Sequence, residues 1–273
     1  MLALLLTLPG CANGEPSQPE AEQIVAEAAS ATAGVNTCKF DLDAAITVKM
    51  TGGTNPGDME TMANGSGAVD NAHREMKVSV SSTASVHGAG KLKIETQTYI
   101  VADWLYTKLI LGGIGGGWFK TKLTDEIWEM QNQLGQQIEL METATEARLM
   151  GSEAVDGTDC YVVELAPGEE KLRDFLSRQM VPGTGIDWSE INLETLSEAT
   201  SITLWIAKDT RLLMKSEIDM LVELAAEDIG VGEGDFEKLA LDMNTKTKLY
   251  DYNEPVLIRL PEEALEAAEI PSR

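Results

Sequence analysis

The sequence predicts an α+β protein built on a large curved antiparallel β-sheet whose one apolar face is covered by helices. Three observations carry this. Roughly ten segments alternate apolar and polar residues with period two, which gives each strand one greasy and one wet face. These segments follow one another through Gly, Asn and Asp clusters, the chemistry of tight turns. Helical periodicity is confined to a few stretches, which fits a parallel α/β protein poorly.

The chain starts with Met1–Leu8, an uncharged run with five leucines, followed by Pro9, Gly10 and Cys11. A short apolar run closed by a small residue and then Cys reads as a lipoprotein signal over residues 1–10, which would leave Cys11 as the acylated first residue. The run lacks the usual preceding Lys or Arg and is shorter than a typical signal; the alternative is an apolar N-terminus with a chance Cys. Residues 11–22, rich in small, polar and Pro residues, read as a flexible tether. A single domain is expected over 23–265 and a tail over 266–273.

Within that domain, Glu20–Ala33 has a modest amphipathic stripe at Ile24, Val25, Ala28 and Ala29, ended by Gly34. The clearest strand spans residues 38–50, where Cys38, Phe40, Leu42, Ala44, Ile46, Val48 and Met50 share one face. Weaker strands are expected at 58–68, 75–82 and 92–102. Segments 103–108 and 117–120 form a hairpin across the glycine run 112–117. Thr124 can cap one helix reaching Glu142, with Ile127, Met130, Leu134, Ile138 and Met141 on one face. Strands resume at 147–155 and 160–165 around Asp156-Gly157. A short helix is expected at 169–180 and an irregular stretch at 181–196. Three long strands close the domain at 201–208, 212–224 and 236–250. Their inward positions are Ile202, Leu204 and Ile206; Leu212, Met214, Ile218 and Met220; and Leu239, Leu241 and Met243.

The charge is −24, which disfavours polyanion partners such as nucleic acid and also a basic membrane-docking face. Cys38 and Cys160 either form a disulfide, which would close a loop of over a hundred residues and contribute about 4–5 kcal/mol, or remain two separate buried thiols. No C-x-x-C, H-E-x-x-H or G-x-S-x-G occurs, and Gly112–Gly117 lacks the Lys-Ser/Thr of a phosphate loop. His73 and His87 read as surface residues. The acidic glycine-rich stretch 227–235 reads as a turn and does not match EF-hand spacing. Neither catalysis nor a metal or cofactor is expected.

Three motifs carry a resemblance to a known family. Gly151-Ser152-Glu153-Ala154-Val155-Asp156-Gly157-Thr158-Asp159-Cys160-Tyr161, Leu204-Trp205-Ile206-Ala207-Lys208-Asp209-Thr210-Arg211-Leu212, and Leu249-Tyr250-Asp251-Tyr252-Asn253-Glu254-Pro255-Val256 resemble, in order and spacing, the LolA-like and LppX/LprG-like lipoprotein carriers. The resemblance covers most of residues 20–265. It implies an antiparallel half-barrel with helices in its mouth and an apolar cavity between them that takes acyl chains.

The residues expected to line that cavity come from strand and helix parity. They are Phe40, Leu42, Ile46 and Val48 on the first strand, and Met130, Leu134, Ile138 and Met141 on the central helix. The closing strands add Ile202, Leu204, Met214, Ile218, Met220, Leu241 and Met243, and Trp104, Trp118 and Trp128 would rim the mouth. The alternative is that these residues pack together as a filled core. The expected partners are a lipid or other acylated hydrophobic ligand and the extracytoplasmic face of a membrane, reached through acylated Cys11. The runner-up is a sensor or interaction module that binds an envelope protein. A monomer is expected.

Overall fold

A computed structural model describes residues 20–53, 56–86, 88, 90–169, 172, 199–225 and 236–271. Cys11, the signal and tether, His87, the 227–235 stretch and nearly all of the 169–196 region lie outside these residues. The chain order is α1 (Ala21–Ala33), β1 (Thr37–Thr51), β2 (Gly57–Asp70), β3 (Glu75–Val86), β4 (Gly90–Val101), β5 (Trp104–Leu111) and β6 (Ile114–Lys122). There follow α2 (Asp125–Gln131), α3 (Gln133–Glu142), β7 (Ala144–Val155), β8 (Thr158–Pro167), β9 (Thr200–Ala207), β10 (Leu213–Ala225) and β11 (Lys238–Tyr250). A 3-10 turn at Glu262–Glu266 and β12 (Ala268–Glu269) close it.

All strands of the described residues join one sheet in the order β12-β6-β5-β4-β3-β2-β1-β11-β10-β9-β8-β7. Every pairing but β12–β6 is antiparallel. The outer strands do not meet, so the sheet curls into an open half-barrel, as the period-two pattern and turn-linked order predict.

Register fixes which residues share the concave face. Phe40 stands opposite Leu249 on β11 and Gly67 on β2, and Val48 opposite Leu241 and Met59. The row continues through Ile218 and Ile202 to Leu165 and Ala147. A Cβ on Gly67 would lie 2.3 Å from Phe40 Cζ and 2.5 Å from the Lys77 carbonyl, so only glycine lets the Phe40 ring lie there.

Helix α1 buries Ile24, Val25 and Ala28 on this face, and α3 buries Leu134, Leu140 and Met141. They seal the β8–β11 half of the concavity into one core with Phe40, Leu204, Met220 and Leu241.

Four expectations change. The single helix Thr124–Glu142 is two helices. Asn132 adopts extended backbone, and its Oδ1 accepts from Gly135 N at 3.2 Å, so it caps α3 instead of continuing α2. The glycine run is not a six-residue loop. The turn is Gly112-Gly113 alone, both at positive φ, and β6 begins at Ile114. The tail from 266 is docked: β12 pairs with β6 at Ala268–Phe119, and Ile270 N donates to Lys120 O at 2.9 Å.

The disulfide is the fourth correction. Cys38 and Cys160 are both free and buried. Cys38 faces the concave core, whereas register places Cys160, opposite Ala207, on the other face. Four strand steps at about 4.8 Å each also separate β1 from β8, beyond the roughly 7 Å Cα limit for a bridge.

Candidate functional site

The concave face divides into two halves of different character. Over β8–β11 it is long-chain apolar and sealed by α1 and α3. Over β2–β6 the base joins the same core through fully buried Val69, Met76 and Ile100, and beyond it the face is lined by small and short residues: Ala63, Gly65 and Gly67, then Val78, Val80 and Ser82, then Thr96 and Thr98. Small residues keep this half shallow, and most of β3 and β4 is only half-buried. Toward the hairpin tips the same face carries exposed aliphatics, with Leu92, Leu109 and Leu111 each more than two-fifths exposed and Ile114 at 81%. This is an open trough whose floor mixes aliphatic and hydroxyl side chains, beside a closed core.

The predicted lining residues fall into three groups. Phe40, Leu134, Ile202 and Leu204 are fully buried, and Val48, Met141, Ile218, Met220, Leu241 and Met243 are nearly so, all in one packed cluster. Leu42, Ile46, Trp128 and Ile138 are half-buried against that cluster. The remaining four are displaced. Met130 lies on α2 beyond the Asn132 break and is 41% exposed. Met214 sits in an irregularity between Leu213 and Lys215, where the register shifts so that Leu213 packs inward instead.

Trp104 and Trp118 do not rim the mouth. Register puts both on the convex face, with Lys120 Nζ 4.7 Å from the Trp104 ring centre and Lys108 Nζ 5.7 Å from that of Trp118. Ala264 and Ala267 of the C-terminal segment bury Trp118 there. Strand parity predicted neither displacement: a bulge and a docked tail both act across the period-two pattern.

Polar pairs, of which Ser216 and Gln137 are buried, were missed by an apolar-only reading. Ser216 Oγ donates to Gln137 Oε1 at 2.6 Å, joining β10 to α3. Asn132 Nδ2 donates to Asn71 Oδ1 at 3.0 Å, tying the α2–α3 break to the β2–β3 turn. At the start of β1, Thr37 Oγ1 donates to the Glu254 carbonyl at 2.7 Å and Asn36 N donates to Asn253 Oδ1 at 2.9 Å. Tyr252 OH donates to the Leu213 carbonyl, and burial pushes its phenol pKa up. The Tyr252-Asn253 motif thus clasps the strand ends beneath the core.

A second concavity of about 480 Å³ lies between α1, the end of α3 and β7. Val25, Ala26, Ala29, Met141, Ala144 and Ala147 give it apolar walls, with Glu22, Glu142 and Glu146 at its rim. The α1 alanines that make room for it were legible as part of the helix stripe, and the strand at 147–155 was expected, but not its place opposite them.

No reacting group stands out. His73 is on the surface, its Nδ1 2.9 Å from Asp70 Oδ2. Burial pushes the Cys38 thiol up to about 12, where it is inert at neutral pH. Among the described residues no group of three His, Cys, Asp or Glu gathers as a metal site, and no helix is long and apolar enough to cross a membrane.

The fold defines a half-barrel protein with a partly covered apolar concavity. Within that class, the chain belongs to the family described as "Family of unknown function (DUF6612)", which matches residues 20–269. No curated protein matches it. Among solved structures it is similar to LprF from Mycobacterium bovis, at 16% identity over 88% of this chain and 96% of that one, TM-score 0.46. It is also similar to the lipoprotein LppX from Mycobacterium tuberculosis, at 14% identity over 88% and 98%, TM-score 0.41. A LolA superfamily protein from Nitrosomonas europaea shares 12% identity over 88% and 96%, TM-score 0.23. These names fall in the group that the sequence motifs resemble.

Proposed function

We propose that this chain is an extracytoplasmic lipoprotein, anchored through an acylated Cys11, that binds or ferries a lipid or other acylated hydrophobic molecule without catalysis. One observation carries the reading: the middle and tips of the β2–β6 concave face stay open and expose aliphatics, while the rest of the concavity is closed into one core with α1 and α3. Water against the aliphatics of the β2–β6 trough costs about 25 cal/mol per Å², which an acyl chain laid along it would recover.

The test is mass spectrometry of an organic extract from the purified chain, beside a Val80→Asp variant that places charge on the trough floor. A lipid in stoichiometric amount, lost in the variant, is the expected result. An extract without lipid from the unaltered chain would sink the carrier reading.

A second reading has its own support. Most predicted lining residues are packed against one another, which suits a sensor or interaction module with a filled core. A lipid-free extract together with retention of a defined envelope protein would favour it.

A further inference from the structure

Hydroxyl side chains cross the open concave face in one band. Thr98 on β4 stands between Val78 on β3 and Thr107 on β5, and Thr107 pairs in turn with Phe119 on β6. One step toward the tips, Thr96 stands between Val80 and Leu109. The rows beyond are aliphatic on both sides. Met76, Ile100 and Leu105 lie toward the core, and Ile94, Leu111 and Ile114 toward the tips. Valine would serve a strand at the threonine positions equally well, since both residues are β-branched. The hydroxyls also satisfy nothing in the protein. Thr96, Thr98 and Thr107 make no side-chain hydrogen bond among the described residues, although Thr98 is only 7% exposed. Thr121, paired with Leu105 beside them, buries its Oγ1 without a partner.

We infer that this band holds the polar junction of the ligand, which makes the ligand an ester-linked amphiphile and not a plain hydrocarbon or an ether of equal length. A hydrocarbon laid over the half-buried Thr96 and Thr107 would strip their water and leave both hydroxyls unpaired. An ester carbonyl oxygen accepts from a threonine O–H and needs no donor of its own. The acyl chain then crosses Ile94, Leu109 and Leu111 toward the tips, and the headgroup stays in solvent above the open band. This rests on the lipid-binding reading of the trough and adds the chemical class of the ligand and the residues that select it.

Two probes that differ in a single carbonyl test it: glyceryl monododecanoate, an ester, and glyceryl monododecyl ether. Each is titrated below its micellar concentration into the full chain with Cys11→Ser, which cannot be acylated, and binding is read by calorimetry. The ester should bind about fivefold or more tighter than the ether, the worth of one neutral hydrogen bond. Thr96→Val with Thr107→Val keeps the side-chain shape and should stay folded by circular dichroism. It should bring the ester down to the affinity of the ether without weakening the ether. Thr61→Val removes a hydroxyl from the same face nearer the tips, opposite Ile46 and Ala84, and should leave the ester preference intact. Equal binding of the two probes before substitution, or a double variant that keeps the preference, overturns the inference and leaves lipid binding standing. Binding of neither probe overturns it together with the carrier reading.

Discussion

Ser216 on β10 donates a 2.6 Å hydrogen bond to the side-chain oxygen of Gln137 on α3, and both residues are buried. The bond pins the covering helix to the floor of the half-barrel. In an otherwise apolar interface it also fixes the helix in rotation, since any turn of α3 would strand a buried amide.

Removing the Ser216 hydroxyl leaves the Gln137 oxygen desolvated without a donor. Ser216→Ala is expected to cost about 1–3 kcal/mol, read from urea unfolding. A change below a few tenths would mean that water takes the serine's place.

Leu134 and Ile138 sit one turn apart on α3 but answer different questions. Leu134 is fully buried, so Leu134→Ala should cost about 2–5 kcal/mol and Leu134→Asp should prevent folding. Ile138 is half-buried at the margin of the core and away from the open trough, so Ile138→Asp should leave the domain folded and lipid co-purification unchanged. Circular dichroism and the lipid content of the two variants, measured together, separate fold from binding. Loss of lipid from folded Ile138→Asp would place the ligand under α3 and count against the trough.

Because Cys38 and Cys160 lie on opposite faces, the native chain should run identically on gels with and without reductant. A thiol reagent should label neither rapidly at neutral pH and both after unfolding, with Cys38 held back most by burial. A reductant-dependent shift of the monomer band would show the separation to be wrong.

Glu217 supplies a pH signature. Partial burial pushes its carboxyl pKa up, but Lys246, Asn244 and Lys215 hold it down at about 2. A depressed carboxylate contributes its stability fully above the unfolded value near 4.5, and loses it as pH falls toward 2. Glu217→Gln should therefore be less stable than the parent at pH 7, with the gap closing through that window. A gap independent of pH in urea unfolding would assign the loss to packing.

Much of the fold was legible beforehand because it rests on local periodicity. The even positions of residues 38–50 face inward as alternation requires, and the Asp156-Gly157 turn holds positive φ at both residues as its composition predicts. The site was legible only in part. Parity supplied Phe40, Leu204 and Met220, but placed Met214 inward because one bulge between Leu213 and Lys215 reverses the alternation. Aromatic character pointed Trp118 toward a mouth, yet the face it occupies is set by pairing with Lys108 and by a C-terminal segment more than 140 residues away.

By itself, the sequence determined the elements, their antiparallel order and the existence of one apolar face, since each follows from spacing along a few neighbouring residues. Only the tertiary structure decided which part of that face is sealed and which cysteine looks inward. Those outcomes depend on strand register and curl, which are set by contacts between residues far apart in the chain and leave no periodic mark within any one segment.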